Sequence, residues 1–159
     1  MTPTTDVDLI TTRFVSIFGA MPDTVLTAIT RGTAICFAND DVIAVFTPSR
    51  PLEYDVIIGR EVSARGDTVE ILNMLLDWIF LNSSAIQVTG MIRPTNAHSI
   101  NLGRGVPGCI EKSVNGNVYV RLPIARWARE QGFDVAVGRL IRSGQNDKAK
   151  RLLSIAGGV

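Results

Sequence analysis

The sequence predicts an α+β fold in which a mixed, mostly antiparallel sheet is flanked by helices. Two turn-forming clusters, Asn39-Asp40-Asp41 and Asn115-Gly116, each separate two apolar segments of strand length and therefore predict β-hairpins. Between these hairpins, an apolar stripe at helical spacing lies between two further strand-like segments. A strand, a helix and a strand in this order predict a crossover with parallel pairing, which makes the sheet mixed.

Length and composition predict one compact domain without a membrane span. The chain has 159 residues, 46% of them hydrophobic, and its apolar runs are too short to cross a bilayer. Asp6 and Asp8 precede the first apolar stretch, and no basic cluster accompanies them, so the N-terminus does not resemble a secretory signal. We therefore expect a cytoplasmic protein.

The N-terminal part predicts two helices followed by three strands. Apolar residues at spacings of three and four, such as Ile10, Phe14 and Phe18, define the first helix, which ends near Gly19. Pro48 and Pro51 predict a loop before the last of these strands. The predicted elements are helices 5–18 and 23–30 and strands 33–38, 42–47 and 54–62.

The C-terminal part predicts the crossover helix, the second hairpin and three further helices. Pro123 is a favourable residue for the start of a helix, and Ser143-Gly144 separates the last two helices. We expect a domain at 1–132 and a helical, basic C-terminal extension at 133–159. The predicted elements are helices 69–80, 96–104, 124–130, 134–142 and 145–155 and strands 85–92, 109–113 and 118–122.

The order of elements from Val56 to Glu130 resembles the acetyl-CoA-binding half of the GNAT N-acetyltransferase superfamily, over about half of the chain. The resemblance implies that the pyrophosphate of acetyl-CoA lies on the backbone amides that open the crossover helix, where unsatisfied N–H groups and the helix dipole attract anions. The segment Ser63-Ala64-Arg65-Gly66-Asp67-Thr68 stands at this point. It keeps the Arg-Gly pair of the family motif but lacks the second small residue. The implied cofactor-binding residues here are Val62, Arg65, Gly66, Asp67 and Thr68.

Two carboxylates compete with a pyrophosphate at the same place. Asp67 followed three residues later by Glu70 is the pattern of an N-cap residue with a reciprocal acidic partner. Such a pair satisfies the helix amides with the protein's own carboxylates. We therefore expect acetyl-CoA binding to be weak or lost, although Arg65 offsets one of the charges.

The second family element is an Asn followed three residues later by Ser or Ala, and Asn96 and Ser99 match it. Both are therefore implied cofactor-binding residues. In the family, a tyrosine seven residues beyond this Asn protonates the departing thiolate, but this chain has Gly103 there. Glycine has no side chain that donates a proton. Tyr119 on the late hairpin is a candidate replacement.

A general base would have to come from the strand before the crossover helix. Glu53, Asp55 and Glu61 share one face of this strand by alternation, so Glu53 and Asp55 join Tyr119 as catalytic candidates. A solvated strand end is the alternative interpretation of these carboxylates. His98 is the only histidine, and its expected place on a helix surface argues against a nucleophilic site with Ser99.

Three other patterns are interpreted as structural. Cys36 and Cys109 lie in apolar segments and are expected to be small buried residues. Gly103-x-Gly105-x-x-Gly108 matches a dinucleotide fingerprint in letters, but no strand precedes it and no helix follows it directly. No cluster has metal-ligand spacing, so we expect no metal.

Two functions remain open. The sequence favours an acetyltransferase-like protein with a degenerate site, similar to proteins encoded among tailed-bacteriophage head genes, that acts in the virion or in morphogenesis. Its expected partners are other protein subunits, such as phage portal or tail proteins, and it would also occur in the virion. The alternative is an active acetyl-CoA-dependent N-acetyltransferase of a small amine or a protein N-terminus. Sixteen basic against fifteen acidic residues argue against nucleic-acid binding outside the basic tail.

Overall fold

A computed structural model describes residues 1–61 and 66–157 of the chain, and it confirms the α+β class. Antiparallel strand pairs are flanked by helices, and the chain ends in a short helical extension. The chain forms two compact units, Met1–Thr68 and Val69–Val159. Within the described ranges, none of the helices combines the length and the apolarity that a membrane crossing requires.

The first unit consists of two helices and a three-stranded antiparallel sheet. Asp6 caps the first helix by accepting a hydrogen bond from the Leu9 amide at 3.1 Å, and Gly19 ends it with a φ of 87°. Both boundaries agree with the sequence prediction to within two residues. The elements are α1 (Val7–Phe18), α2 (Asp23–Thr30), β1 (Ile35–Ala38), β2 (Val42–Arg50) and β3 (Glu53–Arg60), with β2 between β1 and β3.

The predicted loop is wrong at Pro48, because β2 continues to Arg50, and it is confirmed at Pro51, which lies in the turn between β2 and β3. Pro48 pairs with Tyr54, and the register shifts between Pro48 and Arg50, where a bulge accommodates a residue that cannot donate a ladder hydrogen bond. Leu52, with a φ of 65°, lies in the tight turn to β3. At Pro48, the pairing of two long strands therefore outweighs the local preference for a loop.

The core of the first unit lies between the helices and the sheet. Its buried members come from every element except β3, to which Ile57 contributes a partly buried side chain. Ile10 and Phe14 of α1 are 1% and 2% exposed, as expected from their helical spacing. The buried members are Ile10, Phe14, Val25, Ile29, Cys36, Ile43 and Val45.

The second unit contains another three-stranded antiparallel sheet and five helices. The strand order is β4-β6-β5, and the predicted turn at Asn115-Gly116 is confirmed, since both residues have positive φ, 49° and 82°. Pro123 ends β6 and is the N-cap residue of α5, which begins at residue 124 as predicted. The elements are α3 (Thr68–Asn82), β4 (Gln87–Ile92), α4 (Ala97–Arg104), β5 (Ile110–Val114), β6 (Asn117–Pro123), α5 (Ile124–Gln131), α6 (Phe133–Arg142) and α7 (Asn146–Gly157).

The C-terminal helices α6 and α7 are joined to α3 by polar contacts as well as apolar ones. Arg139 of α6 donates to Asp77 of α3 at 3.2 Å. Lys148 of α7 is only 7% exposed, and its Nζ donates to the Phe80 carbonyl at 2.5 Å. This carbonyl lies in the last turn of α3, where the helix dipole is negative and attracts a cation. The basic residues that the sequence assigns to the tail therefore include at least one buried anchor.

We predict that Gly59→Ala destabilises the first unit. A Cβ at Gly59 would lie 2.5 Å from Phe18 Cζ and 2.7 Å from Ile17 Cγ2. The Phe18 ring can turn away, but Ile17 is β-branched, and a β-branched side chain in a helix is largely held in one χ1 rotamer, so its Cγ2 yields less easily. The free energy of unfolding should fall by about 1–3 kcal/mol, as for an overpacked core.

The matched control is Gly103→Ala in α4, where the new Cβ meets Val120 Cγ1 at 3.5 Å, an ordinary contact. This variant should gain about 0.5–1 kcal/mol from helix propensity. Thermal and urea unfolding followed by circular dichroism measure both. Equal stability of Gly59→Ala and the native chain would contradict the close packing of α1 on β3.

We predict that Lys148 makes stability rise with pH above neutrality. Burial lowers the pKa of the Lys148 ammonium from 10.5 to about 8. Between these two values the unfolded chain holds the proton that the folded chain has released, so the free energy of unfolding increases with pH. The increase should be on the order of 1–2 kcal/mol between pH 8 and 9.5.

Urea unfolding at several pH values should therefore show a steeper pH dependence for the native chain than for Lys148→Met. The exposed neighbour Lys150 provides the control, because Lys150→Met should keep the native slope. Parallel curves for the native chain and Lys148→Met would show that the buried amine does not titrate in this range.

Candidate functional site

The start of α3 is the point at which the resemblance to the GNAT family implies a pyrophosphate, and the helix begins at Thr68. Gly66, with a φ of 116°, turns the chain toward it, and Asp67 stands directly before the first helical residue. These positions fit the expected N-cap arrangement. Val62 and Arg65, the other two predicted contacts of this segment, lie outside the described residues.

Arg60 is a charged residue of this segment that the sequence analysis missed. Its Nη1 donates to the Gly66 carbonyl at 3.0 Å, which brings the guanidinium to the turn before α3. The sequence could have indicated this residue, because Arg60 ends β3, the strand that leads to α3. Arg60 thus brings a positive charge to the turn that contains Asp67.

Thr68 has a buried hydroxyl at the first position of α3. The residue is 7% exposed, and its Oγ1 has no hydrogen-bond partner within residues 1–61 and 66–157. A buried hydroxyl without a partner costs about 1–3 kcal/mol. The hydroxyl is thus a donor that an anionic oxygen at the helix N-terminus would satisfy.

The second motif forms a capped helix. Asn96 Oδ1 accepts a hydrogen bond from the Ser99 amide at 3.0 Å, so the structure brings the two predicted residues together at the start of α4. At the other end of α4, a Cβ on Gly105 would lie 2.9 Å from Val69 Cγ2. The end of α4 therefore packs against the first turn of α3, and a glycine allows this approach.

Gly103 stands where the resemblance to the GNAT family implies a proton-donating tyrosine. Its Cα faces β6 and β4, since a Cβ there would lie 3.5 Å from Val120 Cγ1 and 3.8 Å from Ile92 Cδ1. Tyr119 precedes Val120 on β6, and neighbouring residues of a strand point to opposite faces. Tyr119 therefore lies on the sheet face away from α4, where it pairs with the exposed Met91.

The three carboxylates expected near β3 have different surroundings within the first unit. Glu53 is half-buried and Asp55 is exposed. Glu61 Oε1 accepts hydrogen bonds from Ser16 Oγ at 2.7 Å and from Arg13 Nη1 at 3.1 Å. The Ser16 hydroxyl and the Arg13 guanidinium hold the pKa of Glu61 below its ordinary value, which makes it a poor general base.

The histidine, the two cysteines and the glycine series have surroundings that fit a structural role. His98 is exposed on α4, as expected. Cys36 and Cys109 are free thiols, and burial raises the pKa of both, to about 11 for Cys36. Gly108 has a φ of 82° and lies in a loop, so the glycine series ending there is not a dinucleotide motif. Among the described residues, no group of three or more His, Cys, Asp and Glu could hold a metal ion.

Comparison by sequence gives no relatives. No protein-family model matches the chain, and no curated protein matches it.

Comparison with solved structures finds several acetyltransferases of similar fold. The chain is similar to a variant of spermidine N-acetyltransferase SpeG from Vibrio cholerae, with 11% identity, 67% of this chain and 75% of that one covered, and a TM-score of 0.55. It is similar to a Bacillus subtilis acetyltransferase in complex with CoA, with 14% identity, 73% and 91% covered, and a TM-score of 0.55. It is also similar to the N-acetyltransferase PseH of Campylobacter jejuni in complex with acetyl coenzyme A, with 10% identity, 62% and 74% covered, and a TM-score of 0.52. The chain therefore has the fold of the GNAT acetyltransferases.

Proposed function

We propose that the protein is an acetyl-CoA-binding N-acetyltransferase that acts on a small amine or a protein N-terminus. The buried Thr68 hydroxyl at the start of α3 carries this proposal, because it is a donor without a partner in the described residues at a helix N-terminus, where the backbone amides and the helix dipole favour an anion such as a pyrophosphate. The acetyl-CoA and CoA complexes of two structural neighbours support the choice of cofactor.

The charges at the start of α3 support binding of a phosphate group. Arg60 is fixed at the turn by its bond to the Gly66 carbonyl, and Thr68 adds a neutral donor. Asp67 opposes an anion by charge repulsion, and Arg60 offsets this repulsion. We therefore expect measurable but moderate affinity for acetyl-CoA.

Gly103 of α4 has no side chain that could act as a general acid. A thiolate leaving group would then take its proton from water or from another side chain, which lowers the rate of transfer. General acid catalysis typically contributes about 10²–10⁴-fold. The proposed enzyme is accordingly slow, and cofactor binding is a more direct test than turnover.

We predict micromolar binding of acetyl-CoA, measured by isothermal titration calorimetry. Asp67→Asn should tighten binding about three- to tenfold, because asparagine still caps the helix while the repelling charge is gone. Arg60→Gln should weaken it by a similar factor.

The exposed Arg50 at the end of β2 provides the control, since Arg50→Gln removes the same charge away from the turn and should leave the affinity unchanged. Equal weakening by both arginine variants would show only general electrostatic attraction. No heat of binding with the native chain or with Asp67→Asn would rule out the proposed function.

A second candidate function is a non-catalytic assembly role, with CoA binding weak or lost. It is favoured by Gly103, which has no side chain that could donate a proton, and by the acidic Asp67. In this case the protein would be a tailed-bacteriophage virion or morphogenesis component, with other protein subunits such as portal or tail proteins as partners. Sedimentation of the purified protein with and without acetyl-CoA distinguishes the two, since a scaffold should self-associate independently of the cofactor.

A further inference from the structure

The second unit contains a cavity of about 360 Å³ that the proposed acetyl transfer does not use. It is formed by the middle of α3, the loop after α4, the end of β6, and helices α5 and α6. Cavities of this size fall in the range of small-molecule sites. Its lining combines an apolar wall with a few charged and amide side chains.

The apolar wall is well packed. Leu76, Val106 and Leu122 are each at most 6% exposed, and Trp127 is 5% exposed. Trp127 packs on Phe80 with ring centroids 5.1 Å apart. The wall is therefore held from behind and is suited to the apolar body of a ligand.

The polar side is built around Asp77. Its Oδ1 accepts from Trp127 Nε1 at 2.8 Å, and its Oδ2 accepts from Arg139 Nη2 at 3.2 Å. Arg139 Nη1 also donates to Gln131 Oε1 at 2.7 Å, and the guanidinium lies 5.8 Å from the centre of the Trp127 ring. The single cation of the lining is thus already engaged by protein groups.

Two further polar side chains of the lining remain for a ligand. Glu130 and Asn73 make no side-chain hydrogen bond or ion pair within the described part of the chain. The Glu130 side chain lies beside Gly108, at the loop that follows α4, because a Cβ on Gly108 would be 3.1 Å from Glu130 Cγ. With Asp77 and Glu130 against Arg139, the lining carries a net charge of −1.

We propose that this cavity binds a small monocationic amine with an apolar body. The ammonium group would be held by Glu130, with Asn73 as a neutral acceptor, and the body would lie against Leu122 and Trp127. An anion is disfavoured by the net charge, and Arg139 has its donors directed at Asp77 and Gln131. The proposal is independent of acetyl-CoA and holds whether or not the protein transfers acetyl groups.

The test is an NMR titration of the ¹⁵N-labelled full chain with three matched probes at pH 7. They are 2-phenylethylamine, which is a cation, 2-phenylethanol, which is neutral, and 3-phenylpropionate, which is an anion. The indole N–H of Trp127 and the side-chain amide of Asn73 should shift saturably with the amine. Trp78, which does not line the cavity, is the internal reference.

The amine should bind at least tenfold more tightly than the alcohol, and its affinity should fall with added salt. Glu130→Gln should weaken binding of the amine at least fivefold and leave the affinity for the alcohol unchanged. Asp134→Asn, at an exposed position of α6 outside the lining, should have no effect. Val106→Phe, which fills the cavity, should abolish the Trp127 shift.

Several outcomes would overturn the proposal. Equal affinity for amine and alcohol would mean that the cavity recognises only the apolar body of the ligand. Preference for 3-phenylpropionate would make Arg139 the anchor of an anion site. An unchanged amine affinity in Glu130→Gln would remove the assigned contact. Absence of saturable binding by every probe would show that the cavity is solvent-filled packing space.

Discussion

The second unit depends on the carboxylate of Asp77. This one group accepts hydrogen bonds from Trp127 of α5 and Arg139 of α6 while it belongs to α3. It thereby joins α3 to two consecutive helices, α5 and α6, through residues that lie 50 and 62 positions further along the chain. A half-buried carboxylate is stable in this place because two donors, one of them charged, compensate for its lost hydration. Asp77 and Arg139 also line the cavity beside this junction.

A second buried polar contact fixes the last helix. Lys148 donates to the Phe80 carbonyl near the end of α3, where the backbone carbonyls lack helical partners. The burial of an ammonium is costly, and the helix dipole and the hydrogen bond recover only part of the cost. Together with Ala149 and Leu152, which are fully buried or nearly so, it makes α7 a packed element of the second unit.

The candidate site combines features that favour a cofactor with features that oppose its chemistry. Arg60 and the Thr68 hydroxyl supply a cation and a donor at the start of α3, whereas Asp67 supplies a repelling charge. Gly103 offers no side chain for proton transfer at the position where the resemblance implies a proton donor. The fold of the GNAT acetyltransferases is thus retained, and the quality of the site depends on single residues. Function has to be argued from such residues, since one fold supports many activities.

The sequence by itself determined the elements and most of their limits. Helical spacing in α1, the Asn115-Gly116 turn and the Asn96 cap depend on interactions within a few residues, so local patterns suffice to predict them. The cavity was not predictable, because Asn73, Trp127 and Arg139 come together only when α3, α5 and α6 pack. The same holds for β2, which passes through Pro48 because its pairing with β3 outweighs local propensity. Tertiary structure also decided that Lys148 is buried and that Glu61 is held by Ser16 and Arg13, since both depend on partners distant in sequence.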